Sequence, residues 1–201
     1  MNFLSIDCST DIVSLFIKTK NKTFIKNLQS DKSGNDLLMK HILDFFTDNN
    51  LNFNDISEIY VNQGPGNFSG LRGSLAVAKG MSLTRKLKLF GYDTFIWSCA
   101  NASEKKNYFF SLIKIREKYF IKKFDKNLKS ISKAEEIKIE DIKKNYDDKF
   151  KVIPKNLAKY YDKEILSLNN LNVVDLNHQV LGSLQAKGLL NQDFIRPLYF
   201  S

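Results

Sequence analysis

The amino-acid sequence predicts a duplicated α/β fold in two lobes, and three observations predict it. A three-strand meander opens the chain, and a second meander opens about 105 residues later, aligning Phe3 with Phe109. Each meander is followed by helices, alternating with strands in the first half. No Pro- or Ser-rich linker separates the halves, so two closely packed lobes are expected, with any ligand site in the cleft between them.

The first meander is "NFLSIDC", "IVSLFIK" and "KTFIKNL", each rich in β-branched and aromatic residues and bounded by polar turns. A helix is expected from about Asn35 to Asp48, then a strand at "EIYVNQG", then a glycine-rich loop, then a helix from Phe68 to about Arg85. "KLKLFGY" reads as a strand and "TFIWSCANA" as a helix closing the lobe. The pattern restarts with "YFFSLIKI", "KYFIKKF" and "LKSISKA" as strands, followed by "IEDIKKNY" and "PKNLAKYY" as short helices. "HQVLGSLQAKGLL" is expected to be helical and "FIRPLYFS" to be an extended tail. The expected division is a first lobe over 1–105, a smaller basic lobe over 106–175, and a terminal helix and tail over 176–201 packing back on the first lobe.

The loop "GPGNFSGLRG" has the composition of a phosphate cradle but not its spacing. A Walker loop requires glycine five places after Gly64, where Ser69 stands, and the same residue breaks a dinucleotide fingerprint begun by Gly64 and Gly66. What remains is a tight turn with Asn67 or Ser69 capping the helix, whose N-terminus could still accept an anion. The two helices beside it carry more apolar surface than one core needs. On the first, Leu38, Met39, Ile42, Leu43, Phe45 and Phe46 spread over roughly 160°, against the roughly 100° stripe of a one-sided helix. On the second, Arg72 and Lys79 are the only charges before Arg85 and share one narrow strip, while Gly73, Ala76 and Gly80 would admit another backbone closely. Burial on a second side is expected, either by another subunit or by the rest of the chain.

Composition bounds the function. The 201 residues are 43% hydrophobic and 12% aromatic, with no run long enough to span a membrane, and the opening segment lacks a cationic leader. Two cysteines, Cys8 and Cys99, stand far apart in no metal-ligand spacing, which fits reduced thiols and a cytoplasmic protein. The net charge of +9 is concentrated: residues 104–163 hold 18 basic and 10 acidic residues, while the flanking segments are nearly balanced. The excess is lysine, with arginine only at 72, 85, 116 and 196, so it reads either as a solvated lysine surface or as a weak RNA-facing patch.

"LSIDCST", "GPGNFSGLRGSLAVAKGMSL" and "RPLYF" together resemble the TsaB (YeaZ) family, most strongly over residues 1–100. The resemblance implies the two-lobed actin/hexokinase/Hsp70-like (ASKHA) fold. It also implies a non-catalytic paralogue of TsaD, the subunit that transfers a threonylcarbamoyl group to N6 of adenosine 37 in tRNAs reading ANN codons. The implied partners are a TsaD-like catalytic subunit and a TsaE-like ATPase, with tRNA met indirectly through the complex, and with self-association as a homodimer when alone. The implied interface is the first-lobe helices, here Leu38, Ile42, Phe45 and Phe46 on one, and Leu71, Leu75, Ala76, Gly80 and Met81 on the other. The sequence departs from the family in three places. No histidine precedes the first helix, Lys114-Ile115-Arg116 stands where Asp-Ala-Arg is usual, and the tail stops soon after "RPLYF".

The alternative implied by the wider class is a divergent actin-like ATPase or sugar kinase. Asp7 would then organise a metal, with Ser9, Thr10, Gly64 and Gly66 as a phosphate loop, here expected to be vestigial because Lys114 occupies the mirroring position. His41 and His178, the only histidines, are expected at the surface rather than as metal ligands, and no protease motif is present. No catalytic residue, metal or cofactor is therefore expected.

Overall fold

The computed structural model describes residues 2–29, 37–102 and 106–200, which divide into two compact units. The first comprises residues up to Asp93 together with Leu181 onward; the second runs from Thr94 to Val180.

The first unit is built on β1 (Phe3–Asp7), β2 (Ile12–Lys18), β3 (Thr23–Gln29), β4 (Glu58–Asn62) and β5 (Lys88–Tyr92), in the order β3-β2-β1-β4-β5. β1 pairs antiparallel with β2 and parallel with β4, so it is central, and all five of its residues are buried. Alternation gives the sheet two different faces. Leu4, Ile6, Leu15, Ile17, Ile59 and Val61 share one face and pack with helices α1 (Leu38–Asp48) and α2 (Phe68–Arg85). The opposite face is aromatic: Phe3 stacks on Tyr60 at 4.4 Å between centroids, and Phe90 meets Tyr60 edge-on at 5.5 Å.

The second unit repeats this topology. Its strands β6 (Tyr108–Ile115), β7 (Lys118–Asp125), β8 (Glu135–Ile137), β9 (Lys151–Pro154) and β10 (Leu171–Val174) stand in the order β8-β7-β6-β9-β10. Every pairing has the same sense as its counterpart in the first sheet: two antiparallel pairs, then two parallel ones. Leu112, Tyr119, Ile121 and Ile153 form its core with Ile142 of α4 (Ile139–Tyr146) and Ile165 of α5 (Lys163–Leu166). The last helix, α6 (Val180–Ala186), buries Leu181 and Leu184.

Several expectations need correction. The division falls after Asp93 rather than after position 105 (residues 103–105 lie outside the described set), because α3 (Thr94–Ala100) packs on β6, β7 and β9. "TFIWSCANA" thus opens the second unit instead of closing the first. The third strand of the second meander is Glu135–Ile137; in "LKSISKA" only Ser130 forms a bridge, with Phe124. "PKNLAKYY" is a 3-10 helix over Lys155–Tyr160. The start of the first helix at Asn35 lies outside the described residues, which resume at position 37.

His178 is not a surface residue. It is 2% exposed, with its ring 4.8 Å from that of Trp97, whose indole N–H donates to the Asn177 carbonyl at 3.0 Å. Burial pushes its pKa down to about 3. The unfolded chain, with an ordinary histidine near 6.5, then binds the extra proton between these values, so stability is full above about pH 6.5 and falls as pH drops toward 3. Urea unfolding should show His178 costing about 2 kcal/mol between pH 7 and pH 5, and His178→Phe should flatten that part of the profile. An unchanged slope in the variant would show that His178 does not cause it.

Candidate functional site

Asp7 sits at the end of β1 on the aromatic face and is 2% exposed. Its carboxylate accepts from the Ser9 N–H at 2.9 Å and from the Asn62 amide at 3.0 Å, and the same Asn62 accepts from the Gly64 N–H at 2.8 Å. Burial pushes the Asp7 carboxyl above its usual range, and the hydrogen bonds from Ser9 and Asn62 only oppose this. The other phosphate-loop candidates are engaged as well. The Thr10 hydroxyl donates to the Ile12 carbonyl at 3.2 Å and accepts from the Ile12 N–H, closing the turn on itself. The Ser9 carbonyl accepts from the Asn67 N–H at 2.7 Å.

That last bond draws the glycine loop onto the β1 exit. A Cβ on Gly66 would lie 2.1 Å from the Ser9 carbonyl oxygen, and one on Gly70 would lie 2.1 Å from the Cys8 carbonyl oxygen. Neither position tolerates a side chain, because the obstacle is backbone. Gly64 has φ +103°, a conformation that favours glycine. Asn67 caps α2 by accepting from the Gly70 N–H at 3.2 Å. The loop is locked from the other side by the tail: the Gln63 side-chain amide donates to the carbonyls of Phe194 and Arg196, and the Gln63 backbone carbonyl accepts from the Leu198 N–H at 2.7 Å. The residues expected as a vestigial phosphate loop thus form a packed joint in which Asp7, Ser9, Thr10 and Gly64 are buried.

The remaining chemistry candidates are equally engaged. Lys114 lies 2.9 Å from Asp162, whose carboxylate also accepts from the Tyr119 hydroxyl at 2.7 Å. The hydrogen bond from Lys114 holds the Asp162 carboxyl below its usual range. Burial and the neighbouring Asp7 raise the Cys8 thiol far above the range of a reactive cysteine. Among the described residues, no three His, Cys, Asp or Glu side chains come together as a metal-binding group.

The helices place the predicted interface residues differently from the expectation. Leu38, Ile42, Phe45 and Phe46 of α1 are at most 3% exposed, and Leu71, Leu75 and Met81 of α2 at most 4%; all seven are buried. They are core, and only Ala76 and Gly80 of the predicted set face outward. On α1 the buried four span about 100°, and the surplus is the flank, Met39 at 37% and Leu43 at 44% exposed. On α2 the exposed arc spans about 120° and carries Phe68, Arg72, Ala76, Lys79, Gly80 and Leu83. Leu83 is 81% exposed and Phe68 51%; the Arg72 guanidinium lies 4.9 Å from the Phe68 ring centroid, and the Tyr199 ring lies 5.2 Å from that of Phe68. The sequence missed Phe68, Leu83 and Tyr199 as exposed residues; four-residue steps from Phe68 through Arg72, Ala76 and Gly80 were the available signal for the helix face, and none marked Tyr199.

Residues 30–113 match the family described as TsaD, tRNA N6-adenosine threonylcarbamoyltransferase. Two curated relatives, each named tRNA threonylcarbamoyladenosine biosynthesis protein TsaB, come from subspecies of Buchnera aphidicola. One, from the Baizongia pistaciae symbiont, is 35% identical over 82 residues, covering 40% of this chain and 36% of the relative. The other, from the Schizaphis graminum symbiont, is 26% identical over 91 residues, covering 45% and 43%. This chain therefore matches less than half the length of each. Two solved structures from Pseudomonas aeruginosa share the fold throughout. A protein described as similar to peptidase YeaZ gives a TM-score of 0.76 at 14% identity, covering 100% of this chain and 99% of that one. YeaZ itself gives 0.72 at 13%, covering 99% of each. The chain thus shares the two-sheet fold of these structures, and its resemblance to the TsaB (YeaZ) family stands on named relatives.

The buried joint makes a stability prediction. A carboxyl raised by burial contributes its full stability below about pH 4 and loses it as pH rises through the folded-state value. Asp7→Asn, whose amide oxygen can keep the Ser9 and Asn62 contacts, should therefore unfold at no lower urea concentration than wild type at pH 7. Gly70→Ala should lose about 2 kcal/mol or more. A large loss in Asp7→Asn together with an unaffected Gly70→Ala would contradict the packed-joint reading.

Proposed function

We propose that this chain is a TsaB-type partner subunit in tRNA threonylcarbamoyladenosine formation. It docks, without doing chemistry of its own, on a TsaD-like catalytic subunit that modifies N6 of adenosine 37. The observation that carries the reading is the outward face of α2, an 18-residue helix with no acidic residue, whose exposed arc mixes small residues with Phe68, Arg72 and Leu83. Small residues let a facing backbone approach, and exposed aromatic and arginine anchors are the side chains that dominate binding energy at interfaces. The exposed flank of α1, Met39 and Leu43, adds apolar surface on a helix that packs beside α2.

The names of the relatives support the pathway, and a TsaE-like ATPase is the expected third component. A cytoplasmic location follows from that role; among the described residues no helix is long and apolar enough to cross a membrane. The ATPase alternative draws little support from a loop whose Ser9 and Thr10 groups are buried and already bonded. Magnesium-ATP calorimetry of the isolated chain addresses it: micromolar binding with turnover would restore that reading.

The docking surface is tested by three substitutions. Ala76→Glu and Leu83→Glu should give folded protein with wild-type melting behaviour and at least tenfold less co-purifying catalytic subunit, and should abolish any self-association through the same face. Leu75→Glu, at a site only 3% exposed, should fail to fold and serves as the buried control. Wild-type co-purification of both surface variants would place the interface elsewhere.

A further inference from the structure

The positive charge is not spread over the molecule. Residues 106–134, the β6–β7 hairpin and the loop that follows, hold nine basic residues and two acidic ones, whereas residues 135–180 hold eight and nine. A lysine bias in the coding sequence would load both segments alike. The hairpin is also polarised along its length. At the end where β6 passes into β7, Lys114 pairs with Asp162 and Lys118 with Glu136 at 3.0 Å. At the opposite end stand Lys123, Lys126, Lys129 and Lys133, none with a carboxylate in ion-pair reach among the described residues. Eight-residue strands separate the two ends by about 24 Å, well beyond the screening length of about 8 Å at physiological salt.

The free end is built rather than frayed. Asp125 accepts from the N–H groups of Asn127 at 2.8 Å and Lys129 at 2.9 Å, and its own N–H donates to the Lys129 carbonyl, so the turn bearing Lys126 and Lys129 is fixed. The chain returns along β7, with the Ile131 N–H on the Lys123 carbonyl at 2.9 Å. The Lys123 ammonium lies 4.2 Å from the centroid of Tyr108, a ring that is 50% exposed. One ammonium group against an exposed aromatic face, with further lysines carried on a fixed turn, suits a phosphate backbone with an adjacent base, and lysine rather than arginine suits contact by charge instead of base-edge readout.

We propose that this lysine end of the β6–β7 hairpin is a contact surface for the sugar-phosphate backbone of RNA. Resting on the function proposed above, the RNA is the tRNA being modified, which this chain then touches directly.

The test uses the full chain and a fluorescein-labelled tRNA transcript, followed by anisotropy between 50 and 300 mM KCl. The triple variant K123Q/K126Q/K129Q should bind at least tenfold more weakly at 50 mM, and its plot of log affinity against log salt should be shallower by about two to three, one unit or less per lost contact. A control triple, K138Q/K144Q/K163Q, removes three exposed lysines from the balanced segment and should stay within twofold of wild type. Equal losses in the two triples, or no loss in the first, would overturn the proposal. So would tighter binding to phosphatidylglycerol vesicles than to tRNA. The two proposals fail separately: Ala76→Glu should keep its RNA affinity while losing the catalytic subunit, and the hairpin triple should do the reverse.

Discussion

The close approach of the glycine loop to the end of β1 is the constraint on which the first unit depends. Backbone meets backbone at Gly66 with Ser9 and at Gly70 with Cys8, leaving no room for a Cβ at either glycine. Because Gly70 already belongs to α2, that contact fixes the helix against the sheet and decides which of its sides is core. Leu71, Leu75, Ala78 and Met81 turn inward, and the arc from Phe68 to Leu83 is left outward. The same approach closes over Asp7 and spends the Ser9 carbonyl on Asn67. A loop with the composition of a phosphate cradle acts as a clamp, and the outward orientation of the Phe68–Leu83 arc is its consequence.

Duplication explains why the two sheets match and why their ends do not. The strand orders and senses are identical, yet the groups near the end of each central strand are satisfied in different ways. In the first unit Asp7 is buried and bonded to Asn62; in the second Lys114 is tied to Asp162 and shares that carboxylate with Tyr119. Lys151 shows the same economy of polar groups: it is fully buried, and its ammonium donates to the carbonyls of Tyr146, Asp147 and Lys149 where α4 ends. Each of these groups is hydrogen-bonded within its own unit.

Much of this was legible in the sequence, and the failures have physical reasons. The strand-rich starts of both halves, the failed phosphate motifs and the Phe68–Arg85 span of α2 followed from residue pattern alone. The surplus apolar width of α1 was also correctly read, but width does not say which 100° meets the core. The six apolar residues therefore could not be sorted into the buried Leu38, Ile42, Phe45 and Phe46 and the exposed Met39 and Leu43. α3 is uncharged over Thr94–Ala100, so either unit could have claimed it. β9 and β10 are four residues each, one with a lysine and a proline, and too short to display a period. The burial of His178 depends on Trp97, which is distant in the chain, while Lys151 is held by the backbone carbonyls of Tyr146, Asp147 and Lys149, which no side-chain pattern records.

The central claim, that the molecule acts by presenting the outward face of α2 rather than by using its β1 turn, is tested most directly by hydrogen-exchange mass spectrometry. The chain would be compared alone, with magnesium-ATP, and with the TsaD-like catalytic subunit. The account predicts slowed exchange across residues 68–85 and 38–48 on adding the subunit, and no change at residues 7–12 with nucleotide alone. Unaltered exchange in both helices, with nucleotide-dependent protection of the β1 turn, would contradict it.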